Sequence, residues 1–495
     1  MRSRLLAKVR SILYRIRLKL SLFSGERAEH SLNGVLYLIT DRPSGYRQEL
    51  LRLFETATQN RHPYESWSLK PEKTVLYLFQ SWFGLSLKSV VEMAWARGAL
   101  WVVWAPEEIR ARSDSDTQDV GGDFRTQTHN KINLWSVACY QISLETSATP
   151  DEIDITNPSH RGVVAGAFGR ARKSINEASA YLEFYKPDSV VYAQGYDIES
   201  AVLRHLAVKR GIRVVALENI FRKDRLLWDD VSGIAVNKTL ARNYYWRYSG
   251  LVDPVKASRD VRDYLSKIGM AKSEEHASPV RTLDVDFLPA GKTLLFIGQV
   301  MMDSSILFGL PGFESQVDVI SSLAEWASAR EVNLIVKLHP KESPTNQDHL
   351  PYFRGVTHRR LNADARFSEA SSRMGRRLLI DFANDFNTYD LIRRADACVT
   401  VTSQAGLEAL LFGKELVVCG EAFYAGIGIT HEAGSHGCLR ACLEDVLFKE
   451  IRRNRGDEAA VFFHIYSELY CLPKTENALV SLALGETRPL GPVDI

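Results

Sequence analysis

The feature that most constrains this chain is a repeated pairing. A short apolar run ends in a polar turn and is followed by a segment of helical periodicity. Strand and helix alternating in this way define an open α/β sheet with parallel strands. In the amino-terminal half the runs are Val35–Thr40, which ends in Asp41-Arg42-Pro43, then Thr74–Phe79, Ala99–Trp104, Ser189–Ala193 and Arg213–Leu217. Helical patterns follow over Leu87–Arg97 and Glu199–Lys209, and the polar stretch 112–131 reads as a surface loop. A second series runs through Thr293–Gly298, Leu334–Leu338, Arg377–Asp381, Ala397–Val401 and Glu415–Cys419. Between the two series, residues 251–290 turn polar and carry Pro254, Pro279 and Pro289, the composition of a linker. The expected organisation is a basic amphipathic segment over 1–25, a Rossmann-like domain over 30–250, the linker, a second Rossmann-like domain over 291–450 and a helical segment over 451–495. Two such domains of similar size are expected to face a cleft, where ligands meet the carboxyl ends of both sheets.

Charge and composition narrow the function classes. Lys+Arg 62 against Asp+Glu 60 in 495 residues leaves a net charge of +2, too small for a general nucleic-acid binder. Six scattered cysteines (Cys139, Cys398, Cys419, Cys438, Cys442 and Cys471) form no CxxC pair, so neither a disulfide scaffold nor a zinc finger is expected. A reduced, cytoplasmic chain is the default. The amino terminus departs from this balance. Arg2, Arg4, Lys8, Arg10, Arg15, Arg17 and Lys19 precede the first acid, Glu26, and flank a face of Leu5, Leu6, Val9, Ile12, Leu13, Ile16 and Leu20. No uninterrupted apolar core follows, so this is not a secretory signal. A helix of this kind lies in an anionic leaflet with its cations at the headgroups, or docks on its own domain. The run of cations without an acid favours the inner membrane surface.

Polar residues at the strand ends supply the candidate chemistry. Thr400-Val401-Thr402-Ser403-Gln404-Ala405-Gly406-Leu407-Glu408 runs from a strand into a helix. Ser403 and Gln404 stand where free amides and the positive helix end favour an anion such as a nucleotide phosphate, although Ser403 is also an ordinary N-cap. Glu408, one turn on, is placed to accept ribose hydroxyls or to lie solvated on the helix. In Val336-Lys337-Leu338-His339-Pro340, Lys337 and His339 end a strand and can neutralise a departing phosphate. Asp303, in Gly298-Gln299-Val300-Met301-Met302-Asp303-Ser304-Ser305, and Glu218, in Leu217-Glu218-Asn219-Ile220-Phe221, each follow a strand. Each reads as a cap or as a reactive carboxylate. A pair of such acids can divide glycosyl chemistry between attack at the anomeric carbon and proton handling. No P-loop and no GxGxxG turn is found, which removes the usual signals for NAD and ATPase chemistry.

Taken together, GQVMMDSS, ALENIF, VKLHPKE and TVTSQAGLEALLFGKELVVCGEAFYAGIGIT resemble the bacterial capsule polysaccharide synthesis family, and within it the retaining β-Kdo transferases. The resemblance is strongest over 291–432, thinner over 186–250, and carries no motif in the first 150 residues. It implies a GT-B-like architecture and transfer of β-Kdo from CMP-Kdo, without a metal, by double displacement. The family's nucleophilic aspartate falls on Asp303, flanked by Gln299 and Ser305, and its acid/base glutamate on Glu218. Its K-x-H-P pair falls on Lys337 and His339. Its T-S-Q string falls on Thr402, Ser403 and Gln404 on the nucleotide side, with Gly406, Glu408 and Tyr424 also matching.

The departures are Asn219-Ile220, where the family has Asp-Gly, and Ile427, where it has Trp. The acidic pair Asp229-Asp230 before Gly233 reads as a substitute acid or as a turn. Asp284-Val285-Asp286 has metal-clamp spacing but sits in the linker. Tyr244-Tyr245-Trp246 reads as core packing in preference to a sugar platform.

The implied partners are a CMP-sugar donor, a glycan or lipid-linked acceptor and the inner membrane surface through residues 1–20, with no nucleic acid. The competing readings are a GT-B transferase using another nucleotide-sugar and a non-catalytic nucleotide- or glycan-binding scaffold.

Overall fold

The computed structural model describes residues 35–38, 73–78, 84–104, 120, 122–234, 238–275, 288–344, 353–449, 451–453 and 456–486. The basic segment 1–25, the turn Asp41-Arg42-Pro43 and Asp284-Val285-Asp286 lie outside them. Among the described residues no helix is long and apolar enough to cross a membrane. The described chain divides into two compact units, one holding residues up to 141, 161–234 and 472–486, the other 142–160 and 238–471.

The first unit is built on strands β1 (Val35–Leu38), β2 (Lys73–Leu78), β3 (Ala99–Trp104), β6 (Ser189–Ala193), β7 (Arg213–Asn219) and β8 (Arg225–Asp229). A small hairpin, β4 (Thr128–His129) and β5 (Ile132–Asn133), occupies part of the expected 112–131 loop. The sheet order is β1-β3-β2-β6-β7-β8, parallel as far as β7 and antiparallel at β8. A last strand, β15 (Leu472–Pro473), pairs antiparallel with β8, Leu472 standing opposite Leu226. The strands are apolar runs because both faces are covered, and Trp101, Trp104 and Tyr192 are fully buried. The helix Glu476–Ala483 that follows β15 is fastened to this sheet by polar bonds. Arg97 donates to Ser481 Oγ at 2.7 Å, Ser189 Oγ to the Ala483 carbonyl at 2.8 Å, and Arg213 to the Leu482 carbonyl at 2.5 Å. The carboxyl-terminal stretch expected to be a separate helical segment is therefore divided. Asp457–His464 belongs to the second unit, and 472–486 complete the first.

The second unit carries β9 (Thr293–Ile297), β10 (Asn333–Lys337), β11 (Leu378–Asp381), β12 (Ala397–Thr400), β13 (Glu415–Val418) and β14 (His431–Glu432). They are all parallel, in the order β11-β10-β9-β12-β13-β14. This is the doubly wound order, in which the chain works outward from one central strand in one direction and then restarts beside it in the other. The switch falls between β9 and β12, where ligands of such sheets collect at the carboxyl ends. Gly298 is required there. A Cβ on it would stand 2.8 Å from the Lys337 carbonyl oxygen, and the Gly298 amide donates to that same oxygen at 2.8 Å.

The expected linker is corrected. Pro254–Glu275 is a 22-residue helix. Pro254 occupies its first turn, where a missing N–H costs nothing, and Asp253 Oδ1 accepts the Val255 amide at 2.9 Å. The helix belongs to the second unit. Tyr264 donates to Glu408 Oε1 at 2.9 Å, and Asp260 pairs with the buried His464 at 2.6 Å. Tyr244 and Tyr245 are core residues as expected, whereas Trp246 is exposed. Subject to these boundaries, the fold class read from the sequence is the one observed: α/β, with two Rossmann-type units of the kind that make up GT-B-like proteins.

Candidate active site

At the switch point of the second sheet, three segments converge on one polar network. Gln299, just past β9, donates from Nε2 to Thr402 Oγ1 at 3.0 Å and to Ser305 Oγ at 3.2 Å. Its Oε1 accepts the Thr402 amide at 2.8 Å, so the side chain joins the ends of β9 and β12. Thr402 Oγ1 lies 2.8 Å from Ser305 Oγ, which donates to Asp303 Oδ1 at 2.6 Å. Asp303 caps the short helix Ser304–Leu307, its Oδ1 also accepting the Ser305 amide at 2.8 Å. Its Oδ2 has no hydrogen-bond partner among the described residues. One oxygen of the carboxylate is thus anchored and the other keeps its lone pairs. Gln299 and Thr402 are buried, and Asp303 is half-buried.

Beside this network the helix Gln404–Leu411 begins. Ser403 is its N-cap and accepts the Ala405 amide at 3.3 Å, so the plain capping role is present, while Gln404 is exposed at the helix entrance. Tyr424 is fully buried and donates to the Ser403 carbonyl at 2.6 Å, bracing the first turn from beneath. Gly406 lets that happen. A Cβ there would run into the Tyr424 hydroxyl and stand 3.0 Å from Thr400 Cγ2. Gly406 and Tyr424 therefore shape the helix start. Glu408 is buried, and its Oε1 accepts from both Tyr264 (2.9 Å) and Tyr389 (3.0 Å). Burial first, and the Glu408 charge second, push the Tyr389 hydroxyl far above its ordinary value, so it stays a donor.

The two residues of the K-x-H-P pair are placed differently. Lys337, at the end of β10, is buried, and its ammonium donates to Asp381, to Asn384 and to the Phe386 carbonyl at 2.9 Å. Three protons meet three acceptors, so Lys337 holds the loop after β11. His339 is half-buried and caps the turn Pro340–Glu342, its Nδ1 accepting the Lys341 amide at 3.1 Å. An acceptor at Nδ1 puts the proton of the neutral ring on Nε2.

In the first unit, Glu218 lies near the end of β7, half-buried, with its Oε1 accepting the Asn219 amide at 3.1 Å. Asp229 and Asp230 form the turn. Asp229 Oδ1 accepts the Ser232 and Gly233 amides, each at 2.7 Å, and Asp230 pairs with Arg213 at 2.8 Å. Among the described residues, no cluster of three or more His, Cys, Asp or Glu is placed to hold a metal ion.

Three further residues stand behind this arrangement without appearing among the candidates read from the sequence. Gln316 and Thr357 are fully buried and Glu342 nearly so, all behind the Gln299–Asp303 loop. Glu342 stands in the VKLHPKE string, and the turn it closes was the available clue.

A doubly wound unit with a half-anchored carboxylate, a hydroxyl network and a helix start at its switch point has the geometry in which a phosphorylated ligand can be received there. Residues 259–441 match the model of the family described as "Capsule polysaccharide biosynthesis protein". A 180-residue region is 28% identical to the capsule polysaccharide modification protein LipA of Neisseria meningitidis, covering 35% of this chain and 22% of that protein. A 115-residue region is 34% identical to the capsule polysaccharide export protein KpsS of Escherichia coli, covering 23% of this chain and 28% of that protein. The chain thus matches about a quarter of the length of these relatives. Among solved structures it is similar to the β-Kdo 2,4 transferase of Thermosulfurimonas dismutans KpsC. That likeness has TM-score 0.38 and 21% identity, over 56% of this chain and 79% of that one.

Proposed function

We propose that the chain is a glycosyltransferase of bacterial capsular polysaccharide biosynthesis, transferring β-Kdo from CMP-Kdo with retention to a glycan or lipid-linked acceptor. The observation that carries the reading is the Asp303 carboxylate, held by one oxygen at the switch point while the other keeps its lone pairs, beside the helix start at Ser403.

The phosphate of the donor sits over the amides at Ser403 and Gln404, where the helix end favours negative charge. Asp303 Oδ2 attacks the anomeric carbon. The bond from that carbon to the phosphate oxygen breaks, and its electron pair leaves on CMP. His339, through its Nε2 proton, stabilises the charge developing on the phosphate. In the second step the acceptor hydroxyl attacks the same carbon and gives its proton to a general base, the role that the resemblance assigns to Glu218, and the Asp303 carboxylate leaves with its electron pair. Two inversions give net retention. Lys337 contributes by holding the loop Asp381–Phe386.

The test is Asp303→Asn. Transfer from CMP-β-Kdo is expected to fall by about 10³-fold or more, CMP affinity to stay within about twofold, and intact-mass analysis to find a Kdo adduct on Asp303 in the unsubstituted chain only. Ordinary turnover by the variant would end the nucleophile assignment.

A further inference from the structure

The loop that carries Asp303 is held from behind by buried groups. Glu342 Oε1 accepts the Met301 amide at 2.8 Å, two residues before Asp303, and Oε2 accepts the Thr357 amide at 3.1 Å. Its own carbonyl accepts the Gly355 amide at 2.7 Å. Thr357 Oγ1 accepts from Gln316 Nε2 at 3.0 Å. Gln316 then brackets the backbone of Gln299, its Oε1 accepting the amide at 2.8 Å and its Nε2 donating to the carbonyl at 2.9 Å. The loop is therefore clamped twice, at Gln299 by Gln316 and at Met301 by Glu342. The Asp303 amide closes it on the Val300 carbonyl at 2.9 Å.

A carboxylate is an expensive choice for this place. Glu342 is almost completely buried, and burial pushes its pKa above the usual range. What it offers in return is two acceptors on one rigid group. Two backbone amides from separate segments, Met301 and Thr357, converge on it and would otherwise be buried without partners. Simple packing would be served by an apolar residue, and a single bond by an amide.

We propose that Glu342, acting through the Met301 amide, and Gln316, acting through Gln299, are positioning residues that set where the Asp303 carboxylate stands and hence how fast it forms its bond to the sugar. This rests on Asp303 being the nucleophile. The Glu342 clamp makes no bond to Ser403 or Gln404, and the Gln316 clamp reaches that side only through Gln299 and Thr402, so the larger effect is expected on the chemical step and the smaller on donor binding.

Glu342→Gln keeps one acceptor and turns an amide donor toward the second backbone N–H. In this variant, exchange of the Met301 amide with deuterium is expected to accelerate by about tenfold or more. The kcat for CMP release from CMP-β-Kdo is expected to drop by about 10²-fold, the effect of displacing a reacting group by about 1 Å. KM for that donor and the affinity for CMP should stay within about threefold. Glu342→Asp, which restores both oxygens on a shorter stem, should recover part of the rate. Thr357→Val leaves the Glu342 bond to Met301 in place while removing the partner of Gln316. It should give the same split at smaller amplitude, and it decides the matter if Glu342→Gln does not fold. Unchanged Met301 exchange, or kcat within twofold of the parent chain, overturns the proposal. If Asp303→Asn turns over normally, the nucleophile reading falls and takes the rate claim with it. If Asp303→Asn is inactive while Glu342→Gln is fully active, only the positioning claim falls.

Discussion

In the second unit, Gln299, Ser305 and Thr402 bond to one another across sequence distances of 97 and 103 residues, and Asp303 hangs from that web. In the first unit, the carboxylates at the ends of β7 and β8 accept backbone amides close in sequence, while Asn219 accepts from the Lys474 ammonium at 3.0 Å and Asp230 pairs with Arg213 at 2.8 Å. Glu218 accepts the amide of the next residue, and Asp229 gathers amides two to four residues on. The difference is one of reach: the web around Asp303 joins the ends of two strands of the second sheet, whereas Asp229 gathers the amides of its own turn.

The strongest challenge to this contrast is Glu218→Gln. Overall transfer is expected to fall by about 10²–10⁴-fold, yet one equivalent of CMP should still be released from CMP-β-Kdo in a rapid burst, because the proposed first displacement does not use Glu218. Loss of the burst would mean that both acids serve one step. Next is Lys337→Met, which leaves Asp381 buried without its cation. Breaking such a pair costs about 3–5 kcal/mol, read as a lower urea midpoint, and a stability matching the parent chain would refute its bracing role.

The smallest effect belongs to the first unit. Asp197 caps the helix Ile198–Lys209, and burial, then the Glu199 charge, push its pKa from 3.8 up to about 6. A raised carboxyl pKa means the fold favours the protonated form. The stability from this group is full below about pH 4 and is lost as pH rises through about 6. Asp197→Asn keeps a capping acceptor, so its Tm should exceed that of the parent chain at about pH 7.5, and the gain should vanish at about pH 3.5. A pH-independent difference would contradict the assignment.

The sheets were legible because strands buried on both faces read as continuous apolar runs, and those of β3 and β6 match to the residue. The helix Pro254–Glu275 was not, because Pro254 reads as a breaker and only the Asp253 cap shows that it opens a helix. Asp303, Ser305 and Thr402 were visible as polar residues at strand ends. Glu408 and Lys337 were visible too, but not their partners. Tyr264 lies 144 residues from Glu408, and Asp381 lies 44 from Lys337. Spacing along a chain says nothing about which acceptor a buried cation will meet. Gln316 and Thr357 were not visible, since a lone Gln or Thr near a helix start has no pattern to betray it.

The return of Leu472–Leu484 to the first sheet has a consequence for synthesis. On the ribosome the second unit's strands all emerge before the segment that closes the first unit's edge, where Leu472 meets Leu226 and Arg213 holds the Leu482 carbonyl. The earlier-made half must wait, with β8 uncovered, through the translation of more than 200 residues before its last strand arrives. A nascent chain stalled just short of β15 would expose that open edge to any chaperone that captures unpaired strands.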